Sequence, residues 1–519
     1  MKKIFLILFM ILFNIFFIFS KKPLEITIFF TNDTNGHPLS FNLMGEKNQG
    51  GIPARYTLIK LLSKGLKKRN ILILNSGGII RGRPESNLYE GLPDILGMNK
   101  IKYFASGTGT SEFYESMEVL KGLNKNANFY FLSSNAMAAN ENDKYILDRY
   151  IIKEVGGFNG VKIGIFSVIT DDAINEISDQ AKRDFIFNDP INTAKDMVAE
   201  LKNSTNNVDI IIALTHLGYY PDNNNIGSSA LARAVNGIDI IIDGRTGLQI
   251  EEPVMINNTR ICQALKWGLF LGEIKLTIVD NKISGFDYKL HPVNVTINGK
   301  YIDNKIKENN FVLSAIKKGM KDYDSILKKE IAKVDDQMKL KTNDIRYRET
   351  EIGDLICDAL LDYTKADVAF QNAGGIGGNE SLSGPINRSS LDKIIKYDNS
   401  VFVCNIRGEA ILKILNLSMN NIGTGSFLQV GGIKFTYSQS SKGFSDVLIN
   451  GKPIDNMKIY KVAINSWLSY GGDGYDFFAN LPGVNKIDYN IIQREVVYNY
   501  IEKLKILKPV LEGRINIID

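Results

Sequence analysis

The sequence predicts an α/β protein of two large domains, and three observations lead to this prediction. The chain has 519 residues, which is too long for one small domain at roughly 100–200 residues per domain. Short apolar, β-branched runs end in clusters of polar residues and glycine, and helical patterns separate several of these runs. A stretch of helical periodicity near the middle divides the chain into two halves.

The composition is that of an ordinary globular protein. Hydrophobic residues make up 44% and charged residues 23% of the chain. These values exclude a wholly disordered, a collagen-like and a multi-span membrane protein. Lys+Arg 62 against Asp+Glu 57 gives a net charge of +5, which is too mild to indicate a nucleic-acid partner.

Residues 1–22 have the pattern of a targeting segment. A short basic start, Met1-Lys2-Lys3, precedes an apolar run at residues 4–19, and the small residue Ser20 follows. This is the secretory signal pattern, so we expect export to the periplasm or the cell surface. Because Lys21 and Lys22 come directly after the run, a retained N-terminal anchor that tethers the protein to a membrane is the alternative.

The first half, residues 23–304, reads as an α/β domain. Its apolar runs are at residues 26–30, 71–74, 129–132, 161–166, 210–214 and 238–242. Continuous runs of this kind suit strands that are buried on both faces. Ligands of such sheets bind beyond the carboxyl ends of the strands, so the polar clusters that follow the runs are where we expect a site.

Residues 305–330 predict one long amphipathic helix that connects the domains. Phe311, Ile316, Met320, Tyr323 and Leu327 recur there at helical spacing among charged residues. The second domain, residues 331–519, then has predicted helices at 352–363 and 408–418 and a predicted strand at 367–371. Glycine-rich turns follow at 372–375 and 471–475.

Histidine and cysteine are scarce. The chain has three histidines, so a His-rich metal centre is not expected. Cys262, Cys357 and Cys404 are far apart and form no CxxC pair, and we interpret them as small buried hydrophobic residues.

Six motifs in a fixed order resemble the 5′-nucleotidase / 2′,3′-cyclic phosphodiesterase family. They are TNDTNGH at 31–37, GRPES at 82–86, GTSEF at 109–113, THLG at 215–218, FLQVGGIKF at 427–435 and GGDGY at 471–475. The resemblance covers residues 24–519. It implies an N-terminal metallophosphatase-like α/β sandwich and a C-terminal α/β substrate domain, with the active site in the cleft between them.

The resemblance also implies a metal centre that this chain does not preserve. Phosphate ester hydrolysis in the family uses two cations about 4 Å apart that share a carboxylate and position a water. Asp33 and His216 are the two metal ligands that remain, and Gly78 stands where the bridging Asp is expected. Ser111 stands at the position of the catalytic His, so no catalytic residue is intact. The other positions that lack a ligand are Asn35, Thr110, Arg245 and Gly247. We therefore expect no cofactor, unless a divalent metal binds atypically.

Four interpretations of these remnants stay open. His37 could serve in place of Asn35, or Asp171 or Asp172 could lend a carboxylate. Asp33 and His216 could instead be retained only as hydrogen-bonding residues.

In the fourth interpretation, the guanidinium of Arg245, with Arg81 and Arg83 nearby, pairs with Asp33 and binds anions without activating water. An unpaired buried carboxylate is unfavourable, which is the reason to expect such a partner.

The second domain keeps more of its family residues. The resemblance implies that Phe427 and Tyr475 clamp a nucleobase by stacking, and the alternative is that both are core aromatics. Asn372, Gly374 and Gly375 match a substrate-binding turn.

The resemblance implies that the phosphate contacts of the second domain are weakened. Gly377 replaces an arginine that contacts the nucleotide, and Glu351 places an acid where some family members have another arginine. The combination fits a nucleoside better than a nucleotide.

The predicted function is therefore non-catalytic binding of a nucleoside, a nucleotide or another extracytoplasmic partner. The first alternative is an active phosphoesterase, a 5′-nucleotidase with an atypical metal site. The second is a surface interaction protein that uses the fold as a scaffold. The sequence does not predict an oligomeric state.

Overall fold

A computed structural model describes residues 23–43, 45–139, 145–157, 160–220, 227–378, 381–482 and 485–519. The predicted signal or anchor segment, residues 1–22, lies outside these ranges. Within them, no helix is both long enough and apolar enough to cross a bilayer.

The strands of the first half carry the labels β1 to β18. They are β1 Leu24–Thr31, β2 Phe41–Leu43, β3 Glu46–Gln49, β4 Ile71–Asn75, β5 Ala105–Ser106, β6 Tyr130–Phe131, β7 Ala136–Ala138, β8 Tyr150–Val155, β9 Val161–Ile169, β10 Phe185–Phe187, β11 Ile210–His216, β12 Ile240–Asp243, β13 Val254–Ile256, β14 Thr259–Cys262, β15 Phe270–Val279, β16 Lys282–Pro292, β17 Thr296–Ile297 and β18 Lys300–Tyr301.

The helices up to the domain connection carry the labels α1 to α10. They are α1 Ile52–Leu62, α2 Pro84–Asn87, α3 Leu92–Ile101, α4 Thr110–Phe113, α5 Met117–Asn126, α6 Ala181–Asp184, α7 Pro190–Lys202, α8 Ser228–Ala234, α9 Asn310–Gly319 and α10 Tyr323–Lys328.

Two six-stranded sheets form the centre of the first domain. One has the order β16-β15-β1-β4-β5-β6 and the other β13-β14-β12-β11-β9-β8. In β1, Ile28 and Phe30 belong to the core between the sheets, whereas Phe29 packs on the opposite face with residues of α1, α3 and α5. Burial on both faces explains why the strand reads as a continuous apolar run.

The connection between the domains is two helices and not the one long helix that the periodicity predicts. After α9 the chain leaves the helical conformation at Met320, and Asp322 is left-handed with φ 60°. Gly319 ends α9 against Pro93, where an added Cβ would lie 3.2 Å from the Pro93 Cα. Phe311, which the pattern assigns to the apolar face, is 63% exposed.

The second domain contains strands β19 to β30 and helices α11 to α17. The strands are β19 Glu330–Met338, β20 Val368–Asn372, β21 Leu382–Asn387, β22 Ser400–Arg407, β23 Leu428–Gly431, β24 Ile433–Ser438, β25 Gly443–Ile449, β26 Lys452–Pro453, β27 Ile459–Asn465, β28 Lys486–Ile492, β29 Ile506–Leu507 and β30 Ile515–Ile518. The helices are α11 Thr342–Tyr347, α12 Glu351–Thr364, α13 Arg388–Asp392, α14 Gly408–Asn420, α15 Ser466–Ser469, α16 Asp476–Ala479 and α17 Gln493–Leu504.

A five-stranded sheet with the order β23-β20-β27-β22-β28 is the centre of this domain. Smaller sheets, β21-β19-β29 and β26-β25-β24-β30, complete it. One hydrophobic core extends from Ile331 to Ile515 and includes residues of β20, β22 and β27 on the sheet and of α12 and α17 beside it. The molecule is therefore an α/β protein with an N-terminal sandwich and a C-terminal α/β domain.

Candidate functional site

The first candidate site lies where the parallel strands of the two sheets end. Asp33 follows β1, and His216 is the last residue of β11 in the other sheet. The His216 Nε2 and the Asp33 Oδ1 are 2.9 Å apart, and the residues are 5% and 1% exposed. The two remaining family ligands therefore form a buried ion pair with each other, which joins the two sheets.

The other hydrogen bonds of Asp33 come from protein groups as well. The Asn32 Nδ2 donates to Asp33 Oδ2 at 2.8 Å, and the backbone N–H of Arg245 donates to Asp33 Oδ1 at 2.9 Å. Burial lowers the pKa of His216, but the hydrogen bond and the charge of Asp33 outweigh this effect and raise the pKa above its usual value. Asp33 and His216 therefore compensate each other's charge, whereas the His216 Nδ1 has no hydrogen-bond partner among the described residues.

Glycines surround this ion pair closely. A Cβ at Gly78 would lie 3.0 Å from Asp33 Oδ1, and a Cβ at Gly244 would lie 3.1 Å from Asp33 Oδ2. A Cβ at Gly109 would lie 2.7 Å from His216 Nε2. There is no room at these three positions for side chains that carry metal ligands.

Glu112 is a further residue of this site that the sequence analysis did not single out. Its carboxylate accepts hydrogen bonds from the backbone N–H of Gly78 at 3.0 Å, of Ile79 at 2.6 Å and of Gly109 at 2.6 Å. The loops after β4 and β5 are thus held together by one buried acid. The motif GTSEF at 109–113 contained the signal for Glu112, because this acid is the one residue there that matches the polar residues expected from the family.

The expected partnership of Arg245 with Asp33 is wrong. The Arg245 guanidinium lies 2.5 Å from the Glu176 carboxylate, and Arg245 reaches Asp33 through its backbone N–H alone. Arg81 stacks on the Tyr114 ring with 3.1 Å between the guanidinium carbon and the ring centroid. The physical reason is that His216 already compensates the charge of Asp33, so no guanidinium is needed there.

The structure does not bring the proposed substitute ligands to Asp33. The His37 Nδ1 lies 2.6 Å from the carbonyl oxygen of Asn35, and its ring packs on Phe41 with centroids 4.3 Å apart. Burial, with the charge of Arg83, lowers the pKa of His37 to about 3, so this ring is neutral. Asp171 and Asp172 begin a 3₁₀ segment after β9, where Asp172 is exposed.

The remaining positions of the predicted site have structural roles. Asn35 is buried, and its backbone N–H donates to the Gly78 carbonyl at 2.8 Å. Thr110 begins α4, and the Ser111 hydroxyl donates to Glu112 at 2.9 Å. Gly247 has φ 57° and packs against the side chain of Lys266.

A pair of divalent cations does not fit the donors present at this site. Such a centre requires several carboxylate and imidazole ligands around each ion. Among the described residues, no group of three or more His, Cys, Asp and Glu side chains is arranged to hold a metal. Asp33 and His216 are bonded to each other, and the position that should supply the bridging carboxylate is a glycine in contact with Asp33.

The second candidate site is the turn after β20. The Asn372 Nδ2 donates to the Asp473 carboxylate at 2.6 Å, and its Oδ1 accepts from Asn465 at 2.8 Å. The backbone N–H of Gly374 donates to the Gly425 carbonyl at 2.9 Å. Gly375 approaches Gln371 so closely that an added Cβ would lie 2.5 Å from its Nε2. Asn372 thus connects this turn to the GGDG turn at 471–474.

The two aromatic residues predicted to clamp a base are in the core in this conformation. Phe427 is 0% and Tyr475 is 1% exposed, and both belong to the hydrophobic core of the second domain. The Tyr475 hydroxyl donates to the carbonyl oxygen of Ser426 at 2.7 Å. The expectation of an open slot between these rings is therefore wrong, because neighbouring side chains cover both of them.

Trp467 is an aromatic residue near this turn that the sequence analysis missed. Trp467 is partly exposed, and its indole packs against Gly472, where an added Cβ would lie 2.3 Å from the Trp467 Cε2. No spacing rule distinguished it from other aromatics in the sequence. Trp467 is therefore more exposed than Phe427 and Tyr475.

The structure also describes Gly377 and Glu351, the two positions where the charge differs from the family pattern. The Lys396 side chain lies over Gly377, with its Cε 2.3 Å from the place of an added Cβ. Glu351 is the first residue of α12, where an acid interacts favourably with the helix dipole.

The cleft between the domains is closed by buried charged contacts. Arg83 of the first domain lies 2.5 Å from the Asp398 carboxylate of the second, and Arg494 also pairs with Asp398. Lys266 forms an ion pair with Asp488 across the same boundary. Each of these side chains is no more than 13% exposed.

Comparisons with known proteins agree with this architecture. The family described as "5'-nucleotidase, C-terminal domain" matches residues 330–480. A 5′-nucleotidase of Vibrio cholerae is 29% identical, over 93% of this chain and 91% of the relative. Protein UshA of Escherichia coli is 28% identical, over 93% of this chain and 92% of the relative.

Solved structures show the same fold. A 5′-nucleotidase precursor of Thermus thermophilus has 26% sequence identity and a TM-score of 0.56, and the match covers 96% of this chain and all of that one. NAD nucleotidase of Haemophilus influenzae has a TM-score of 0.78 at 19% identity. The motif order, the two-domain fold and these similarities together support the resemblance of the chain to the 5′-nucleotidase family.

Proposed function

We propose that this protein is a non-catalytic member of its family, which binds a nucleoside or nucleotide outside the cytoplasm without hydrolysing it. The observation that supports this proposal is the ion pair between Asp33 and His216, 2.9 Å apart and buried. Each residue uses the other as its partner where the family would use two cations. Without cations, no group at this site can generate a hydroxide or stabilise a departing oxygen in the way that metal-assisted hydrolysis requires.

The second domain is the proposed ligand site. Asn372 and Asp473 are bonded to each other beside the partly exposed Trp467, so amide, carboxylate and aromatic groups lie on neighbouring turns. Stacking on an aromatic ring contributes on the order of 1–3 kcal/mol per base. The arginine expected at position 377 is absent, which favours a nucleoside over a nucleotide.

Metal content and phosphatase activity test the loss of catalysis. The protein is produced in cells grown with excess Mn²⁺ and Zn²⁺, and the metal bound to the purified protein is measured. Phosphate release from AMP is then followed, with the Vibrio cholerae 5′-nucleotidase as the positive control. We expect no stoichiometric metal and no AMP hydrolysis above background. Two bound equivalents of metal together with hydrolysis would overturn the proposal.

Thermal unfolding with adenosine and with AMP tests ligand binding. A ligand at about 100 times its dissociation constant stabilises the folded protein by about 2.7 kcal/mol. We expect adenosine to stabilise the protein more than AMP, and Trp467→Ala to abolish the shift. The control is Tyr130→Ala, which removes an aromatic ring that is 42% exposed in the first domain. A shift that survives in Trp467→Ala would exclude this indole from the site.

Two other functions have some support. Similarity to 5′-nucleotidases over more than nine-tenths of the chain favours an active phosphoesterase with an atypical metal, and AMP hydrolysis would identify it. The closed domain interface and the buried rings favour an interaction scaffold, which would give no shift with either ligand.

Export is part of the proposal. The basic and apolar sequence of residues 1–22 supports it. Fractionation of cells that produce the protein tests it, because a protein recovered only from the cytoplasm would contradict export.

A further inference from the structure

A basic segment lies at the edge of the first domain that is opposite the candidate site. Residues 60–69, here called the basic segment, run from the last turn of α1 to the start of β4. They contain five cations and no acid, so their charge of +5 equals the net charge of the whole chain. The cations are Lys60, Lys64, Lys67, Lys68 and Arg69, all of them exposed. None forms an ion pair with another residue in the described part of the chain.

Two apolar side chains are exposed among these cations. Leu61 is 61% and Leu66 is 37% exposed, although α1 buries its other face, including Leu58 and Ile59, in the core. A single exposed leucine is common on protein surfaces. The two leucines and the five cations of this segment match the two chemical features of a lipid surface, which are an apolar interior and negative headgroups.

The position of the basic segment relative to the chain start is the second observation. The Asn70 Nδ2 donates to the carbonyl oxygen of Glu25 at 2.8 Å, and Thr27 of β1 pairs with Ile71 of β4. The segment therefore adjoins the start of β1. The sequence immediately before this strand contains Lys21 and Lys22. Glu25 is an acid, but its hydrogen bond with Asn70 uses its backbone carbonyl oxygen and not its carboxylate.

We propose that the basic segment is a docking surface for an anionic lipid bilayer. Each Lys or Arg near such a surface increases binding about fivefold at physiological ionic strength. The leucines enter the boundary between headgroups and acyl chains, and the cations stay at the headgroup level. Strands β1 and β4 start at this edge and end shortly before Asp33 and Ser76, so a docked molecule presents the candidate site away from the bilayer.

Vesicle sedimentation of the full chain tests this proposal. The vesicles contain phosphatidylcholine and phosphatidylglycerol at 3:1, or phosphatidylcholine alone, at 0.1 M and 0.5 M NaCl. The test variant is Lys64→Gln/Lys67→Gln/Lys68→Gln. The control variant, Lys317→Gln/Lys318→Gln/Lys321→Gln, removes three other exposed lysines and changes the net charge equally.

We expect the test variant to lose about a hundredfold in partitioning to the anionic vesicles, since three cations are removed. The control variant should partition like the unchanged protein, and 0.5 M NaCl should weaken binding. A second variant, Leu61→Ser/Leu66→Ser, should also bind more weakly.

Three outcomes would overturn the proposal. They are equal binding to both kinds of vesicle, equal loss in the test and control variants, and binding that the test variant retains, which would assign membrane attachment to residues 1–22. Circular dichroism of each variant checks that the fold is unchanged. Loss of binding without loss of structure supports the basic segment.

Discussion

The two candidate sites differ in what they have kept. In the first domain, Asp33 and His216 are in contact, 2.9 Å apart, at the ends of two sheets. The second domain keeps Asn372, Phe427 and Tyr475, but both aromatic rings are buried in its core. Retained residue types therefore do not by themselves indicate a retained site, because accessibility and partners decide what a side chain can do.

The difference has a physical cause. A buried carboxylate and a buried imidazole need partners, and at the first site Asp33 and His216 are each other's partners. A buried aromatic ring needs only apolar neighbours, so the second site can close over its rings without leaving charged groups unsatisfied. The following five predictions test this comparison.

The largest expected loss of stability comes from placing a carboxylate at position 78 of the first site. Gly78 has φ +66°, and an added Cβ would lie 3.0 Å from Asp33 Oδ1. We expect Gly78→Asp to lower the free energy of unfolding by about 3–5 kcal/mol, because it buries a second carboxylate against the first. Urea denaturation measures this change. Gly78→Ala is the control for backbone strain, and a stable aspartate variant that binds two equivalents of Mn²⁺ would contradict the interpretation.

Removal of Asp398 tests whether the closed interface is structural. Arg83 and Arg494 both pair with this carboxylate, and each is about a tenth exposed at 12% and 11%. We expect Asp398→Ala to lower the free energy of unfolding by about 3 kcal/mol, because two buried guanidinium groups each lose one of two carboxylate partners, and Glu85 and Asp392 remain. Asp362→Ala, which removes a surface partner of Lys365 and Lys503, should change stability by less than about 1 kcal/mol. Equal effects would argue against an electrostatic closure.

A double-mutant cycle measures the pair at the first site. Asp33→Ala leaves the imidazole of His216 without its charged partner, and we expect a loss of about 3 kcal/mol. His216→Ala in addition should cost less than the two single changes combined, with a coupling of about 1–3 kcal/mol. Additive losses would mean that the two side chains act independently.

The pH dependence of stability tests the charge of His216. Its pKa is raised in the folded protein, against about 6.5 in the unfolded chain. The folded state therefore binds the proton more tightly, so the stabilisation is complete below about pH 6.5 and is lost as the pH rises through the folded-state pKa. We expect the stability difference between the unchanged protein and His216→Gln to shrink over this rise. A difference that is constant between pH 5 and pH 9 would contradict an ionised pair.

The smallest expected effect concerns Tyr475. Its hydroxyl donates to the Ser426 carbonyl at 2.7 Å inside the second domain. We expect Tyr475→Phe to lower the free energy of unfolding by about 1 kcal/mol through loss of this hydrogen bond. The adenosine shift should be unchanged, unlike that of Trp467→Ala. An altered adenosine affinity in the Tyr475 variant would indicate that this ring is part of the ligand site.

Local sequence patterns predicted many elements closely. The run at 210–214 lies within β11, Ile210–His216, and the predicted helix at 408–418 lies within α14, Gly408–Asn420. Both elements are long and are buried by a regular pattern, which is the signal that a sequence carries best. The connection at 305–330 was predicted less well, because its periodicity continues across Gly319 and Asp322, where contacts with α3 and a left-handed residue divide it.

The site was predicted in position but not in its contacts. The sequence indicated a site at the polar clusters near the strand ends, and Asp33 and His216 from two of these clusters lie 2.9 Å apart. It did not reveal that Arg245 would pair with Glu176, because the loop carrying Glu176 comes close only through the fold. Glu112 was also missed, since its role depends on three backbone N–H groups that come from two separate loops.

By itself, the sequence determined the α/β class, the two domains and the supply of side chains at the strand ends. These follow from the period of apolar residues and from chemical identity, which are local properties. The tertiary structure decided that Asp33 neutralises His216, that Phe427 and Tyr475 are covered, and that Asp398 joins two arginines. Each of these depends on which distant groups share a low-dielectric interior, and only the folded chain establishes that proximity.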